Sequence, residues 1–343
     1  MKNFHLLCSL AVFLLWGCSA NEGGDTKVNP DNSRLLFQQM EYPNISRLDG
    51  IYYFIGQNSD IKIYKAESID SLGAVTPYTV WEGPGNGMHN IWSPEMARVG
   101  NKWYIYFEAD DGNNTDNHQL YVLENPSADP TEGNWTLHGP IITDSEWNFG
   151  LHPSTFTVNG RQYLTWSGWE HRRSEIETQC IFIAEMENPW TLKSPRVLIS
   201  RPELEWERQW INPDGTRSAY PIFVNENPEP ILSPDGKKVV IAYSASGIWT
   251  PYATIGMLYA DTSSDLLNPA SWTKLNEPQS NPTNIEGEMT AISNISTLPA
   301  GSDGKSHLFF QVRDATDQKA PRVYVKEFGW NADGIPEFGL KQK

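Results

Sequence analysis

The chain has 343 residues, with 26 Lys plus Arg against 42 Asp plus Glu and a net charge of −16. That balance repels nucleic acid and disfavours a strongly anionic ligand, unless basic groups cluster locally. Of the three cysteines, Cys8 and Cys18 fall in the amino-terminal segment. Cys180 alone cannot form an intramolecular disulfide or a thiolate metal site, so the domain must rest on a large hydrophobic core.

Lys2 precedes an apolar run from Leu6 to Trp16 that stops at Gly17-Cys18. The run is too short to span a bilayer but suits a secretory signal. Leu15-Trp16-Gly17-Cys18 resembles a bacterial lipobox, in which the Cys becomes the first mature residue and carries lipid. Residues 1–17 are therefore expected to be a lipoprotein signal peptide, and residues 18–34 a lipidated Cys18 with a flexible polar tether. An ordinary cleaved signal is the other reading. A lipid on Cys18 would anchor the chain in the bacterial cell envelope without making it an integral membrane protein.

Residues 35–343 read as short strands separated by turns. The segments "GIYYFIGQ" (50–57), "IKIYKAE" (61–67), "KWYIYFEA" (102–109), "QLYVLEN" (119–125), "RQYLTWSG" (161–168), "CIFIAEM" (180–186), "KVVIAYSA" (238–245), "IGMLYAD" (255–261), "HLFFQVRD" (307–314) and "RVYVKEF" (322–328) are rich in aromatic and β-branched residues. They form five pairs, most of them led by a short motif and a Gly-bearing turn such as Asp49-Gly50, Val99-Gly100, Asn159-Gly160 or Asp235-Gly236. A repeated unit too small to bury its own face points to radial repetition, hence an all-β, five-bladed β-propeller. A β-sandwich is the alternative, although it would not produce the repeated order. The 14 Trp, 14 Tyr and 13 Phe also suit a carbohydrate binder, because sugar C–H faces stack on flat aromatic rings.

In a propeller the first strand of each blade lines the central channel, so the short motifs should converge on one axial pocket. They are Glu41-Tyr42-Pro43-Asn44, Trp92-Ser93-Pro94-Glu95, Leu151-His152-Pro153-Ser154, Asn225-Glu226-Asn227-Pro228 and Glu286-Gly287-Glu288-Met289-Thr290. Together with "IWSPEMARVGNKWYIYFEADDGN", "YLTWSGWE", "NPWTLKSPRVLISRPELEWE", "IAYSASGIWT", "LNPASWTK" and "GWNADGIPEFG", these stretches resemble glycoside hydrolase family 43, especially its exo-acting α-L-arabinofuranosidase branch. The resemblance runs from about Tyr42 to Gly339 and implies a five-bladed propeller that hydrolyses glycosides with inversion. It further implies a first-blade Asp as base, a fourth-blade Glu as acid and a third carboxylate that tunes the acid. An inverting pair stands about 6.5–9.5 Å apart to admit a water.

Carried over position by position, Glu226 stands where the general acid belongs. Tyr42 takes the place of the base and His152 that of the tuning Asp. Thr290 takes the place of a His that in some relatives helps hold an axial cation; a calcium is conceivable there, but no metal or cofactor is expected. A phenol, with its reference pKa near about 10, is a poor base at neutral pH unless a cation depresses it. His152, or a carboxylate such as Glu41, Asp60 or Glu288, are the candidates for a displaced base. Trp92, Glu95, Trp166, Thr290 and Arg322 are the expected substrate-binding set, with Glu95 also readable as a blade-to-blade hydrogen-bond acceptor.

Three functional readings follow. The first is a glycosidase, arabinofuranosidase- or β-xylosidase-like, acting on plant or algal oligo- or polysaccharide with Glu226 as acid and a non-standard base. The second is a lyase-like reaction on uronic-acid glycans, with Tyr42 and His152 moving protons and Arg322 holding the carboxylate. The third is a lipid-anchored glycan-binding protein without catalysis. A monomer that meets the membrane only through its anchor is expected in each.

Overall fold

The computed structural model describes residues 33–341, apart from short stretches at 58–59, 84–86, 147, 172–176, 212–216, 251, 281–282, 286–287 and 315–320. The expected signal peptide, Cys18 and all of the tether up to residue 32 lie outside the described residues. Arg34, expected to end the tether, is already paired within the first strand, Arg34–Phe37.

Five antiparallel blades follow in chain order, with blades 3 and 4 joined into one ten-stranded sheet by a parallel pairing of 177–179 with 222–224. Blade 1 comprises Asn44–Leu48, Ile51–Ile55, Ile61–Ala66 and Tyr78–Trp81. Blade 2 comprises His89–Val99, Lys102–Asp110, Gln119–Asn125 and Thr136–Ile141. Blade 3 runs Leu151–Val158, Arg161–Gly168 and Glu177–Asn188, with Val197–Ser200 outermost. Blade 4 runs Arg217–Leu232, Lys238–Ala245 and Thr254–Asp261, with the short Thr273–Lys274 outside. Blade 5 is Glu288–Leu298, Ser306–Asp314 and Arg322–Trp330, and its outer strand is Arg34–Phe37 from the other end of the chain.

Local sequence accounts for the hairpins. Asp49 and Gly50 have φ of 51° and 83°, and Asn159 and Gly160 have 52° and 77°. Both pairs join strands in direct register, which is the left-handed two-residue turn that matches strand twist and that Asp-Gly and Asn-Gly favour.

The ring is closed by packing between blades. Tyr53, Ile55 and Ile63 of blade 1 meet Met96, Ile105 and Phe107 of blade 2. Tyr104 and Tyr106 of blade 2 meet Leu164, Trp166 and Phe182 of blade 3. Phe156 and Ile181 of blade 3 pack on Val239 and Ile241 of blade 4, and Val240 and Met257 of blade 4 on Ile292 and Phe310 of blade 5. Ile45 and Phe54 of blade 1, with Phe37, close the circle on Phe309 and Val323 of blade 5. A sandwich would bury one core between two sheets; here each sheet is covered on both faces by its neighbours. Each fully buried large apolar side chain contributes roughly 1.5–3 kcal/mol, so the five junctions replace disulfides as the source of stability.

Near the axis each blade carries one non-glycine residue in the left-handed region: Tyr42 (φ 50°), Ser93 (41°), His152 (53°), Asn227 (53°) and Asn294 (44°). Where the ladder spans these positions its register shifts, between Trp92 and Glu95, Leu151 and Ser154, Glu226 and Glu229, and Ser293 and Ile295. Such conformations cost about 1–2 kcal/mol each and persist where the surroundings enforce them, commonly at functional sites. The fifth equivalent position is thus Asn294, further along the strand than the expected Glu286–Thr290 motif. Residues 286–287 lie outside the described residues, as do the side chains of Glu288 and Thr290.

Candidate active site

Tyr42 and His152, the bulge residues of blades 1 and 3, border a cavity of about 290 Å³. Tyr42, His152 and Glu226, all buried, line it, and Tyr42 also borders a separate axial gap of about 20 Å³. Trp92, Phe149 and Trp169 form one wall. The Phe149 and Trp169 rings stack at 3.7 Å, while Trp92 stacks on His118 at 4.2 Å. Trp249, 42% exposed, lies at the mouth.

Glu226 is held by two partners. Its Oε1 accepts the Ile248 N–H at 2.8 Å, and its Oε2 is 3.2 Å from His152 Nε2. The first contact depends on the tight Ser246-Gly247 turn, where φ is 68° and 76°. A Cβ on Gly247 would come within 3.1 Å of both Ile222 and the Trp249 ring, so this glycine lets the turn bring the Ile248 N–H to Glu226 beside the mouth tryptophan.

His152 is the hub of the floor. Its Nδ1 is 2.5 Å from Ser93 Oγ, its backbone N–H donates to Glu108 Oε2 at 3.1 Å, and its ring lies 5.4 Å from that of Tyr42. Burial works against a charged imidazole, but the hydrogen bond to Glu226 and the charges of Glu108 and Glu226 outweigh it, so its pKa is raised. Burial also raises the Glu108 carboxyl, against the pull of His152 and His118. The Tyr42 phenol is held well above its ordinary value, first by burial and then by the negative charges of Glu41, Glu226 and Glu108. His152 does not act as the depressing cation considered from the sequence, and Tyr42 remains a protonated phenol at neutral pH.

The remaining expected site residues divide. Trp92 lines the cavity. Trp166 does not: it is fully buried in the core between blades 2 and 3, because its position on the second strand points it at the neighbouring sheet. Glu95 lies beyond the bulge, toward the opposite face, where its Oε1 accepts the Thr155 N–H at 3.0 Å and so links blades 2 and 3. Arg322 is buried on the third strand of blade 5 and does not line the cavity; Arg313, on the second strand, does. The Thr290 side chain lies outside the described residues. Glu41 is paired with Arg313 at 2.8 Å.

Asp116, Arg313, Trp249 and Glu108 escaped the sequence reading. Asp116 lies in a loop after the second strand of blade 2 and is, with Glu226, one of the two carboxylates lining the cavity among the described residues. Its loop is pinned: Asn117 Nδ2 donates to Asp111, the Asp116 N–H donates to Asn114 Oδ1 at 2.9 Å, and both His118 nitrogens face carbonyl oxygens of Thr115 and Asn90. The run of Asp and Asn after "YFEA" was visible as turn chemistry, but the distance to the axis was not.

A cation on the axis would need free donors. The Asn294 amide is bonded to Asn227 at 3.1 Å and to Gln311 at 3.0 Å, so it does not supply the His-and-water ligand set that the resemblance associates with a metal. Among the described residues no group of three or more His, Cys, Asp or Glu is placed to hold one.

The model of glycosyl hydrolases family 43 matches residues 35–336, which is nearly all of the propeller. The chain belongs to glycosyl hydrolases family 43. As a family 43 glycosidase it acts on O-glycosyl bonds. It is 34% identical to an extracellular exo-alpha-(1->5)-L-arabinofuranosidase of Streptomyces avermitilis, over 99% of this chain and 70% of the relative. It is 30% identical to alpha-L-arabinofuranosidase B of Pyricularia oryzae, over 90% of this chain and 63% of the relative. An alpha-L-arabinofuranosidase structure from Lactobacillus brevis superposes with a TM-score of 0.78 at 30% identity, covering 90% of this chain and 96% of that one. The curated family 43 relatives thus extend beyond the length this chain spans.

Proposed function

We propose that this family 43 glycosidase is an exo-acting α-L-arabinofuranosidase that removes terminal arabinofuranose from plant or algal side chains, with Glu226 as general acid. The observation that carries the reading is a small aromatic-walled cavity of about 290 Å³ with the buried Glu226 in its lining. A site at the small end of ligand pockets suits one sugar unit rather than a chain passing through. Trp249 at the mouth would meet the next unit by stacking.

Asp116 is the residue we assign to water activation. It lines the same cavity from blade 2, which is not adjacent to the blade of Glu226, and its loop is pinned. Glu41 is engaged with Arg313 and His152 with Glu226, so both are less available as a base. A lyase-like reaction through Tyr42 has less support, since the phenol keeps its proton and Arg322 does not line the cavity.

The name of the Streptomyces relative supports export. We further assign residues 1–17 as a signal, Cys18 as the lipid-bearing residue, and a monomeric propeller as the working unit. Cys18→Ser should release the protein from the membrane fraction; unchanged fractionation would overturn the anchor.

The experiment that tests the activity is arabinose release from an aryl α-L-arabinofuranoside and from arabino-oligosaccharide, by the full chain and by Glu226→Gln. Release from both substrates by the full chain, with Glu226→Gln losing release from the oligosaccharide but largely keeping it on the aryl glycoside, supports the reading. Binding of the glycan with no release by either overturns it in favour of a binding protein.

A further inference from the structure

We propose that Glu108 is a positioning residue of the acid site, which fixes His152 by accepting its backbone N–H and by placing a negative charge beside Nδ1, so that Nε2 is the atom presented to Glu226. This inference rests on Glu226 acting as the acid. Glu108 lies on the second strand of blade 2, opposite Trp92 on one side and Leu120 on the other, in a stretch that otherwise reads as sheet. It is fully buried, where a carboxyl group is costly unless satisfied.

Both of its oxygens are directed at one residue. Oε2 accepts the His152 backbone N–H at 3.1 Å, while Oε1 has no hydrogen-bond partner and lies 3.5 Å from His152 Nδ1. On the far side of the ring Nε2 is 3.2 Å from Glu226 Oε2. The three groups form a line, carboxyl to imidazole to carboxyl, running from the core into the cavity. A carboxylate on one ring nitrogen is the common way in which a histidine's tautomer and orientation are fixed.

The surroundings of the ring are few. Ser93 shares Nδ1 at 2.5 Å and also faces Glu108; Tyr42 stacks from blade 1; Glu226 approaches from blade 4. Arg313, tied to Glu41, faces the same cavity from blade 5, and His118 acts on Glu108 from its other side. Among these, Glu108 is the acidic group that contacts His152 on the nitrogen away from Glu226. Removing its charge should weaken the hold on the ring proton without changing the cavity's shape.

The test is Glu108→Gln, which keeps the side-chain size and an acceptor for the His152 N–H. In protein labelled with ¹⁵N-histidine, the His152 titration should move to lower pH by about one unit, the size expected for loss of a nearby opposite charge. The alkaline limb of kcat/KM on an arabino-oligosaccharide, whose leaving group needs the acid's proton, should move the same way, with KM nearly unchanged. Glu108→Asp, which keeps the charge but withdraws it, should move both less. A folded Glu108→Gln with an unmoved His152 titration, or a loss of activity equal at every pH, overturns the proposal. If Glu108→Gln does not fold, Glu108→Asp decides: a His152 titration identical to that of the parent overturns it. Absence of hydrolysis by the parent chain would remove the functional reading, while the imidazole titration still decides on Glu108.

Discussion

Replacing Glu226 by Gln separates acid catalysis from mere architecture, because the structure constrains what the amide can and cannot do. Gln retains an acceptor for the Ile248 N–H at 2.8 Å and the same volume. Only the contact with His152 Nε2, at 3.2 Å, must reorganise. The cost to stability is then that of one buried hydrogen bond, about 1–3 kcal/mol, which a thermal-shift measurement can bound. The amide has no proton to give to a leaving oxygen. For an arabino-oligosaccharide, whose leaving group is a sugar alkoxide, kcat/KM should fall by roughly 10²–10⁴, or about 3–5 kcal/mol of transition-state stabilisation. For a nitrophenyl arabinofuranoside, whose phenolate leaves without protonation, the fall should be under about tenfold. The assay is kcat/KM on both substrates for both proteins at matched fractions folded. Equal losses on the two substrates would refute the assignment, since a residue that only shapes the cavity does not distinguish leaving groups.

Three further outcomes follow from the same geometry. Asp116→Asn should lower kcat by at least about 10² on both substrates, whatever the leaving group, with KM little changed, because a base is needed in either case; steady-state kinetics reads this, and unaltered kcat returns the base to another group. Trp166→Ala should destabilise by about 3–5 kcal/mol, whereas Trp166→Phe, which removes an indole N–H without a partner, should melt within a few degrees of the parent and keep kcat/KM within about twofold. Burial raises the Glu95 and Glu229 carboxyls to about 8 and about 7, with repulsion from Glu229 adding to the shift at Glu95. With folded values above the unfolded ones, the folded chain binds more protons, so this stability is complete below about pH 4.5 and is lost as pH rises through about 7–8. Melting temperature should decline over that window, and Glu229→Gln should flatten the decline.

Much of the fold was legible before any coordinates. Alternating aromatic strands, Asp-Gly and Asn-Gly turns and the repeated order of motif, turn and strand are local signals, and they mark the five blades and four of the five axial bulges. The fifth went astray because Asn294 is followed by Ile295 rather than by Pro, which removed the marker shared by Tyr42, Ser93, His152 and Asn227. The assignment of Trp166 and Arg322 to the pocket failed for a related reason. Alternation along a strand tells which residues share a face, but in a propeller both faces are buried against neighbouring blades.

What the sequence by itself determined was the architecture and the family, since these reside in short contiguous motifs whose chemistry is local. The tertiary structure alone decided which groups surround Glu226. Glu108, His152 and Glu226 come from blades 2, 3 and 4, and Asp116 and Arg313 reach the cavity from a loop of blade 2 and the second strand of blade 5. Proton affinities are set by distances of 3–4 Å and by burial, and both arise only when the fifth blade closes on the first and brings distant segments around one axis.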